Sequence, residues 1–299
     1  MNRPVVVVGS VNLDRSLYVE RLPAPGETVL AHGRNTCVGG KGANQAVQAA
    51  VSGAQVVFVG AVGRDEAGKF AREALVEAGV TAVLEELDEP TGQASITVDD
   101  GGENCIVVDS GANAAIGETA VMAALREWSN AQPLVLVCQG ECPAAIVDAV
   151  ARFSNQGGHR FVLNLAPVID LSMAALRTSN PLIVNESEAQ SLLGGFEVQA
   201  ANLAEALHTA LGVPVVVTRG AQGADVVDDG GELVHVPALA LTGKVVDSTG
   251  AGDALVGGTS AALSAGQSLV DAVRAGTQAA RSVLSTRGAA AHKQEGLAR

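Results

Sequence analysis

An α/β domain built on a largely parallel sheet, with a small β lid, is the fold this sequence predicts. Three observations predict it. Short continuous apolar runs such as Val5-Val6-Val7-Val8 end in glycine or polar residues, as strands buried on both faces do. Segments of helical spacing, rich in small residues, alternate with those runs. A chain of 299 residues with 47% hydrophobic content can bury a large core. With no linker, repeat or low-complexity stretch in view, a single domain over 1–299 carrying lid strands at about 15–38 and 93–109 is the simplest organisation.

Composition narrows the partners. The net charge is −13 and the only lysines are Lys41, Lys69, Lys244 and Lys293, so a nucleic-acid backbone or an anionic membrane would be repelled and a small molecule is favoured. The first residues run straight into a valine-rich strand and no apolar stretch approaches membrane-spanning length, which predicts a cytoplasmic protein. Cys37, Cys105, Cys138 and Cys142 lack metal-site spacing and read as inert thiols. Aromatics are only 2% of residues, so a base stacked between rings is hard to build, although aliphatic side chains can support one face of adenine.

In chain order, Val5–Val8 is the first buried strand, ending at Gly9-Ser10. Asn12 and Asp14 come next; if the segment stays extended they face the same way and could bind hydroxyls of a polyol, whereas in an Asx turn they would bond their own backbone. The turn-rich Tyr18 to Val38 region contains a short strand at Thr28-Val29-Leu30. Ala94–Val98 and Cys105–Val108 flank Asp99-Asp100-Gly101-Gly102, a hairpin signal. These pieces make the lid. Between them, Gly39-Gly40-Lys41-Gly42-Ala43-Asn44-Gln45 opens a helix on glycines that admit a ligand close to the backbone, with Lys41 and Asn44 on one face. It is not a Walker A loop, because Gly42 stands where Ser or Thr must follow the lysine.

Val56–Gly60, Leu134–Cys138, Phe161–Leu165, Leu182–Val184 and Val215–Thr218 read as further strands, alternating with helices at Gly68–Ala78, Thr119–Trp128 and Leu269–Thr286. Glu141, just beyond one strand, points toward the crevice where such sheets bind ligands. Asn185 and Glu188 open a helix either as a capping box or as neighbours of a phosphate-bound Mg²⁺ reached through water. The glycine-rich Arg219-Gly220-Ala221-Gln222-Gly223, after Thr218, could cover a nucleotide.

Everything else is organised around Asp247-Ser248-Thr249-Gly250-Ala251-Gly252-Asp253. It reads as a strand end, a glycine turn and a helix start, with backbone N–H groups facing one point and a carboxylate, Asp253, beside them. A helix cap is the plainer reading. The chemical reading is phosphoryl transfer to a hydroxyl, with the turn stabilising the phosphoryl oxygens and Asp253 taking the hydroxyl proton.

Taken together, Gly9 to Asp14, Gly39 to Gln45, Asn185 with Glu188, and Asp247 to Asp253 resemble the PfkB family of sugar kinases, and within it the ribokinase group. The resemblance spans essentially the whole chain. It implies a doubly wound α/β sandwich whose β lid pairs with that of a second subunit in a homodimer, and ATP-dependent phosphorylation of the terminal hydroxyl of a free pentose, ribose before others. Kinases for deoxyribose, another pentose, fructose or a nucleoside, and a non-catalytic sugar-binding protein on this scaffold, are the alternatives. On this chain it implies Asp253 as base and Gly250, Ala251 and Gly252 as the anion hole. Asn12, Asp14, Gly40, Lys41, Gly42, Ala43, Asn44 and Glu141 would hold the sugar, with Ala94, Ile96 and Val108 from the lid. Asn185, Thr218 to Gly223, Gly252 and Thr277 would meet ATP, and Glu188 would order Mg²⁺. An activating K⁺ would sit near Asp247, Thr249, Val283, Thr286 and Gly288.

Overall fold

The computed structural model describes residues 2–196, 201–240 and 249–284. In chain order the elements are β1 (Val5–Val8), β2 (Asn12–Val19), β3 (Gly33–Gly39), α1 (Lys41–Val51), β4 (Val56–Gly63), α2 (Glu66–Glu77), β5 (Thr81–Leu87), β6 (Gly92–Asp99), β7 (Asn104–Asp109), α3 (Glu118–Ser129), β8 (Val135–Gln139), α4 (Ala144–Gly157), β9 (Arg160–Asn164), α5 (Met173–Leu176), β10 (Leu182–Asn185), α6 (Glu186–Leu193), α7 (Leu203–Leu211), β11 (Val215–Thr218), β12 (Ala224–Val227), β13 (Leu233–Val236), α8 (Ala251–Ser264) and α9 (Leu269–Val283).

Among the described residues, nine strands form the main sheet in the order β13-β12-β11-β10-β9-β8-β1-β4-β5. Pairing is parallel from β11 through β5, and β12 and β13 add an antiparallel edge. The valine run of β1 explains why the sheet is covered twice. Val5 and Val7 join a core with Val47, Leu75, Val256 and Val273 from α1, α2, α8 and α9. Val6 and Val8 join another with Leu125, Val147 and Leu207 from α3, α4 and α7. This is the doubly wound α/β arrangement. From β1 the chain builds outward through β4 and β5, then returns to place β8 on the other side of β1, so strand order reverses between β1 and β8. Ligand crevices form at the carboxyl ends of strands at such a reversal.

The remaining strands form a four-stranded sheet, β3-β2-β6-β7. Its inner pair, β2 and β6, is parallel, and β3 and β7 flank it antiparallel. Some details differ from the sequence reading. Thr28–Leu30 is not a strand: Leu30 is 89% exposed, and pairing starts later, where Gly33 meets Tyr18. The small sheet also begins earlier than the boundary expected near residue 15, so that of the two readings left open for Asn12 and Asp14 the extended one, on β2 itself, is present. The edge strands β5 and β13, and β12 beside β13, went unread because they are short or carry half-buried charges such as Glu85, not continuous apolar runs. The strand end expected at Asp247-Ser248, and with it Thr286 and Gly288, lies outside the described residues. Among the described residues, no helix is long and apolar enough to cross a membrane.

Candidate active site

At the reversal between β1 and β8, the residues that follow each strand meet. Ser10 donates its hydroxyl to Glu141 Oε2, which also accepts the Lys41 backbone N–H at 2.9 Å. Ala43 N–H donates to the Ser10 carbonyl at 3.0 Å and Gly42 N–H to Ser10 Oγ at 3.4 Å. The predicted Gly42 and Ala43 are therefore buried, and their amides tie the first turn of α1 to the β1–β2 link. Gly40 precedes them as the helix N-cap with φ +88°. Asn113 holds the segment from the other side: its Nδ2 donates to Asn12 Oδ1 at 2.8 Å and to the Val11 carbonyl at 3.0 Å.

Strand register brings the predicted sugar-side residues onto one face of the small sheet. Asp14 is paired with Ala94, and Ala94 with Val108. The next row on that face runs Ser16, Ile96, Ile106, because register partners and alternate residues point the same way. Asn12, Val108 and Glu141 line a cavity of about 510 Å³ together with Ser10, Ser110 and Asn113. Asp14 is half-buried with Oδ1 lacking any hydrogen-bond partner. Burial, with the charges of Glu141 and Asp253 added, pushes its carboxyl up to about 7. Three carboxylates thus share one small region, and Lys41 is the cation among them: Asp253 first, then Glu141 and Glu188, hold its ammonium above the ordinary lysine range against the effect of burial.

Gly250 caps α8 in the left-handed region, φ +78°, which a residue with a side chain rarely adopts. The first N–H groups of a helix have no intrahelical acceptor, so Ala251, Gly252 and Asp253 begin α8 with donors and partial positive charge. Asp253 is 7% exposed and turned toward α1. Asn44 Nδ2 donates to its Oδ2 at 3.1 Å, Gln45 Nε2 to its Oδ1 at 3.0 Å, and Lys41 Nζ stands 3.9 Å from Oδ1. A carboxylate with about four acceptor sites keeps capacity for a ligand hydroxyl after these contacts.

On the other side of the same turn, Ala251 and Gly252 line a cavity of about 620 Å³ with Thr218, Gly220, Ala221, Gly223 and Thr277. Leu239, Leu255 and Leu284 supply apolar walls, so a flat group would rest on aliphatic side chains. Thr277 is buried, its hydroxyl donating to the Arg274 carbonyl at 2.8 Å. Arg219 and Gln222 are not part of this lining. Arg219 turns instead to Glu186 at 3.5 Å and Asp225 at 3.3 Å. Asn185 and Glu188 form the full capping box of α6: Asn185 Oδ1 accepts from Glu188 N–H at 2.9 Å, and Glu188 Oε2 accepts from Asn185 N–H at 2.8 Å.

A family model for pfkB carbohydrate kinases matches residues 2–295. The chain belongs to the pfkB family. Against the ribokinase of Haemophilus influenzae it is 34% identical over 294 residues, covering 97% of this chain and 94% of that one. Its fold is similar to the ribokinase of Thermotoga maritima, with TM-score 0.86, 32% identity and coverage of 96% and 94%. It is also similar to the ribokinase of Arabidopsis thaliana complexed with ribose and ATP, with TM-score 0.84, 30% identity and coverage of 97% and 95%.

Of the pfkB residues expected from sequence, Asn12, Asp14, Lys41, Asn44, Glu141 and Asp253 converge on one cleft. Of the positions that the resemblance would give to K⁺, Thr249 and Val283 are among the described residues. Ser10, Gln45 and Asn113 were not singled out from sequence. Gln45 and Ser10 stood inside motifs already marked, but Asn113 carries no local signal, since amide residues at loop positions are ordinary turn formers.

Proposed function

We propose that this pfkB-family kinase transfers the γ-phosphoryl group of ATP to the terminal hydroxyl of a free pentose, D-ribose first. One observation carries the reading: the carboxylate of Asp253 faces the cleft of Asn44, Lys41 and Asp14, while its neighbours Ala251 and Gly252 line the large apolar-walled cavity. A base and an anion cradle on one helical turn suit transfer between ligands bound on either side.

In this reading Asp14, Asn12, Lys41, Asn44 and Glu141 bind the sugar hydroxyls, and Gly40, Gly42 and Ala43 form the floor. Ala94, Ile96 and Val108 close over the ring. Asp253 accepts the hydroxyl proton as that oxygen forms its bond to the γ-phosphorus. The bond from that phosphorus to the β-phosphate oxygen breaks, ADP leaves with that electron pair, and no covalent enzyme intermediate forms. The N–H groups of Gly250, Ala251 and Gly252 meet charge on the moving phosphoryl oxygens. The adenosine would occupy the cavity of Thr218, Gly220, Ala221, Gly223 and Thr277, with Arg219, Gln222 and Asn185 at its margin.

Mg²⁺, when bound, would neutralise phosphate charge. Among the described residues no cluster of three His, Cys, Asp or Glu side chains could hold a metal ion alone, so such an ion would take most ligands from phosphates and water, with Glu188 ordering the water. K⁺ is assigned to Asp247, Thr249, Val283, Thr286 and Gly288. Dimerisation through the lid is supported by β7, an edge strand on which Ile106, Val107 and Val108 are 49%, 66% and 53% exposed. The free thiols of Cys37, Cys105, Cys138 and Cys142 suit a reducing cytoplasm.

The test is a panel of free sugars and nucleosides assayed for ADP release with ATP, Mg²⁺ and K⁺. Ribose should give the highest kcat/KM. A nucleoside or hexose turning over faster would replace the acceptor, and ribose-dependent thermal stabilisation with no ADP release would make the protein a binder.

A further inference from the structure

Buried side-chain amides form a directed chain behind Asp253. Asn164 Nδ2 donates to the Ile183 carbonyl at 3.0 Å, which leaves Asn164 Oδ1 to accept from Gln45 Nε2 at 2.9 Å. Gln45 Nε2 also donates to Asp253 Oδ1 at 3.0 Å. Its Oε1 then accepts from Gln139 Nε2 at 2.8 Å. The directions are set from the two ends, because a backbone carbonyl and a carboxylate can only accept. Gln45 and Gln139 are fully buried, 0% exposed, and Asn164 is 7% exposed.

One group is left over. Gln139 Oε1 is buried with no partner. Turning that amide over would pair its oxygen with nothing better and place two oxygens together at Gln45 Oε1. An unsatisfied buried acceptor costs about 1–3 kcal/mol. It is tolerated at the far end of the chain, where the near end delivers a donor to Asp253.

We propose that Gln45, oriented by Asn164 and Gln139, is a positioning residue for the phosphoryl-transfer reaction: it fixes the Asp253 carboxylate through Oδ1, so that Oδ2, which also accepts from Asn44, is presented to the acceptor hydroxyl. Gln45 is fully buried and, in this proposal, acts only through Asp253. The inference rests on the reading of Asp253 as the base.

Gln45→Met keeps the volume and removes the donor. With the folded fraction verified by circular dichroism, kcat should fall about 10–100-fold, the loss expected for one hydrogen bond to a charged group, while the KM for ribose stays within about 3-fold. In Asp253→Asn the same Gln45 change should cost almost nothing further, because both act through one carboxylate. Gln139→Met deletes the unpaired acceptor but also the donor to Gln45 Oε1, so one buried acceptor is unpaired before and after; the variant should still fold, with a modestly lower Tm and a several-fold lower kcat, and it decides the matter if Gln45→Met does not fold. If kcat stays within about 3-fold of wild type in the folded variants while Asp253→Asn is inactive, the positioning role is wrong and the kinase reading stands. Near-normal turnover in Asp253→Asn overturns the role of Asp253 itself.

Discussion

Asp14 lies so close to Gly39 that a Cβ built on the glycine would fall 2.0 Å from Asp14 Oδ2. The two are diagonal neighbours on β2 and β3, where Asn12 pairs with Gly39 and Asp14 with Cys37. The missing side chain at position 39 is the space in which the carboxylate sits.

Gly39→Ala should therefore displace Asp14 and leave Asp253 untouched. Overpacking of this kind typically costs about 1–3 kcal/mol. The KM for ribose should rise roughly tenfold or more with kcat within a few-fold, read from steady-state kinetics. An unchanged KM would separate Asp14 from the sugar.

The same carboxyl makes stability depend on pH. The Asp14 carboxyl, ordinarily near 3.8, is raised to about 7 in the folded protein. Between those values the folded chain keeps a proton that the unfolded chain has released, so Asp14 contributes stability below the unfolded value and that contribution is lost as pH rises through about 7. Asp14→Asn should gain in Tm relative to wild type as pH goes from about 5 to about 8. Sugar hydroxyls donate best to the charged form, so the KM for ribose should fall over the same rise in wild type and not in Asp14→Asn. Glu141 and Asp253 face Asp14 and raise it, while burial, with the charge of Asp14, pushes the Cys37 thiol up to about 11 and keeps it neutral.

Asp253→Asn removes the base without changing shape. Turnover should drop by about 10²–10⁴ while ribose affinity, followed by titration calorimetry, stays within a few-fold.

Ala221→Trp addresses the other cavity. Ala221 is exposed at its rim, so a large ring there should fill space without opening the core. The KM for ATP should rise about tenfold, with ribose affinity unchanged. Equal loss for both ligands would mean that the cavity does not belong to the nucleotide.

Several of these residues were legible before any coordinates. The β1 valines announce a strand covered on both faces, and the helix that follows Gly39-Gly40 appears as α1. The alternation of Asn12 and Asp14 does place both on one strand face, but of the small sheet, since extended geometry says nothing of which sheet a strand joins. Asn185 and Glu188 show the opposite case. Their spacing suits a cap and a metal-side role alike, and the capping box is the arrangement present. Thr28–Leu30 fails as a strand because β propensity needs a partner at the right register.

By itself, the sequence determined the layered α/β class, the glycine turns and the side chains able to do chemistry at each strand end, because apolar runs and tight turns are local consequences of residue type. Only the tertiary structure decided that Asp253 faces Gln45 and Asn44 instead of solvent, that Asp14 is pushed up to about 7, and that Gln139 is left with an unpaired oxygen. Burial, charge proximity and hydrogen-bond direction arise from segments distant in the chain, and no single stretch of residues contains them.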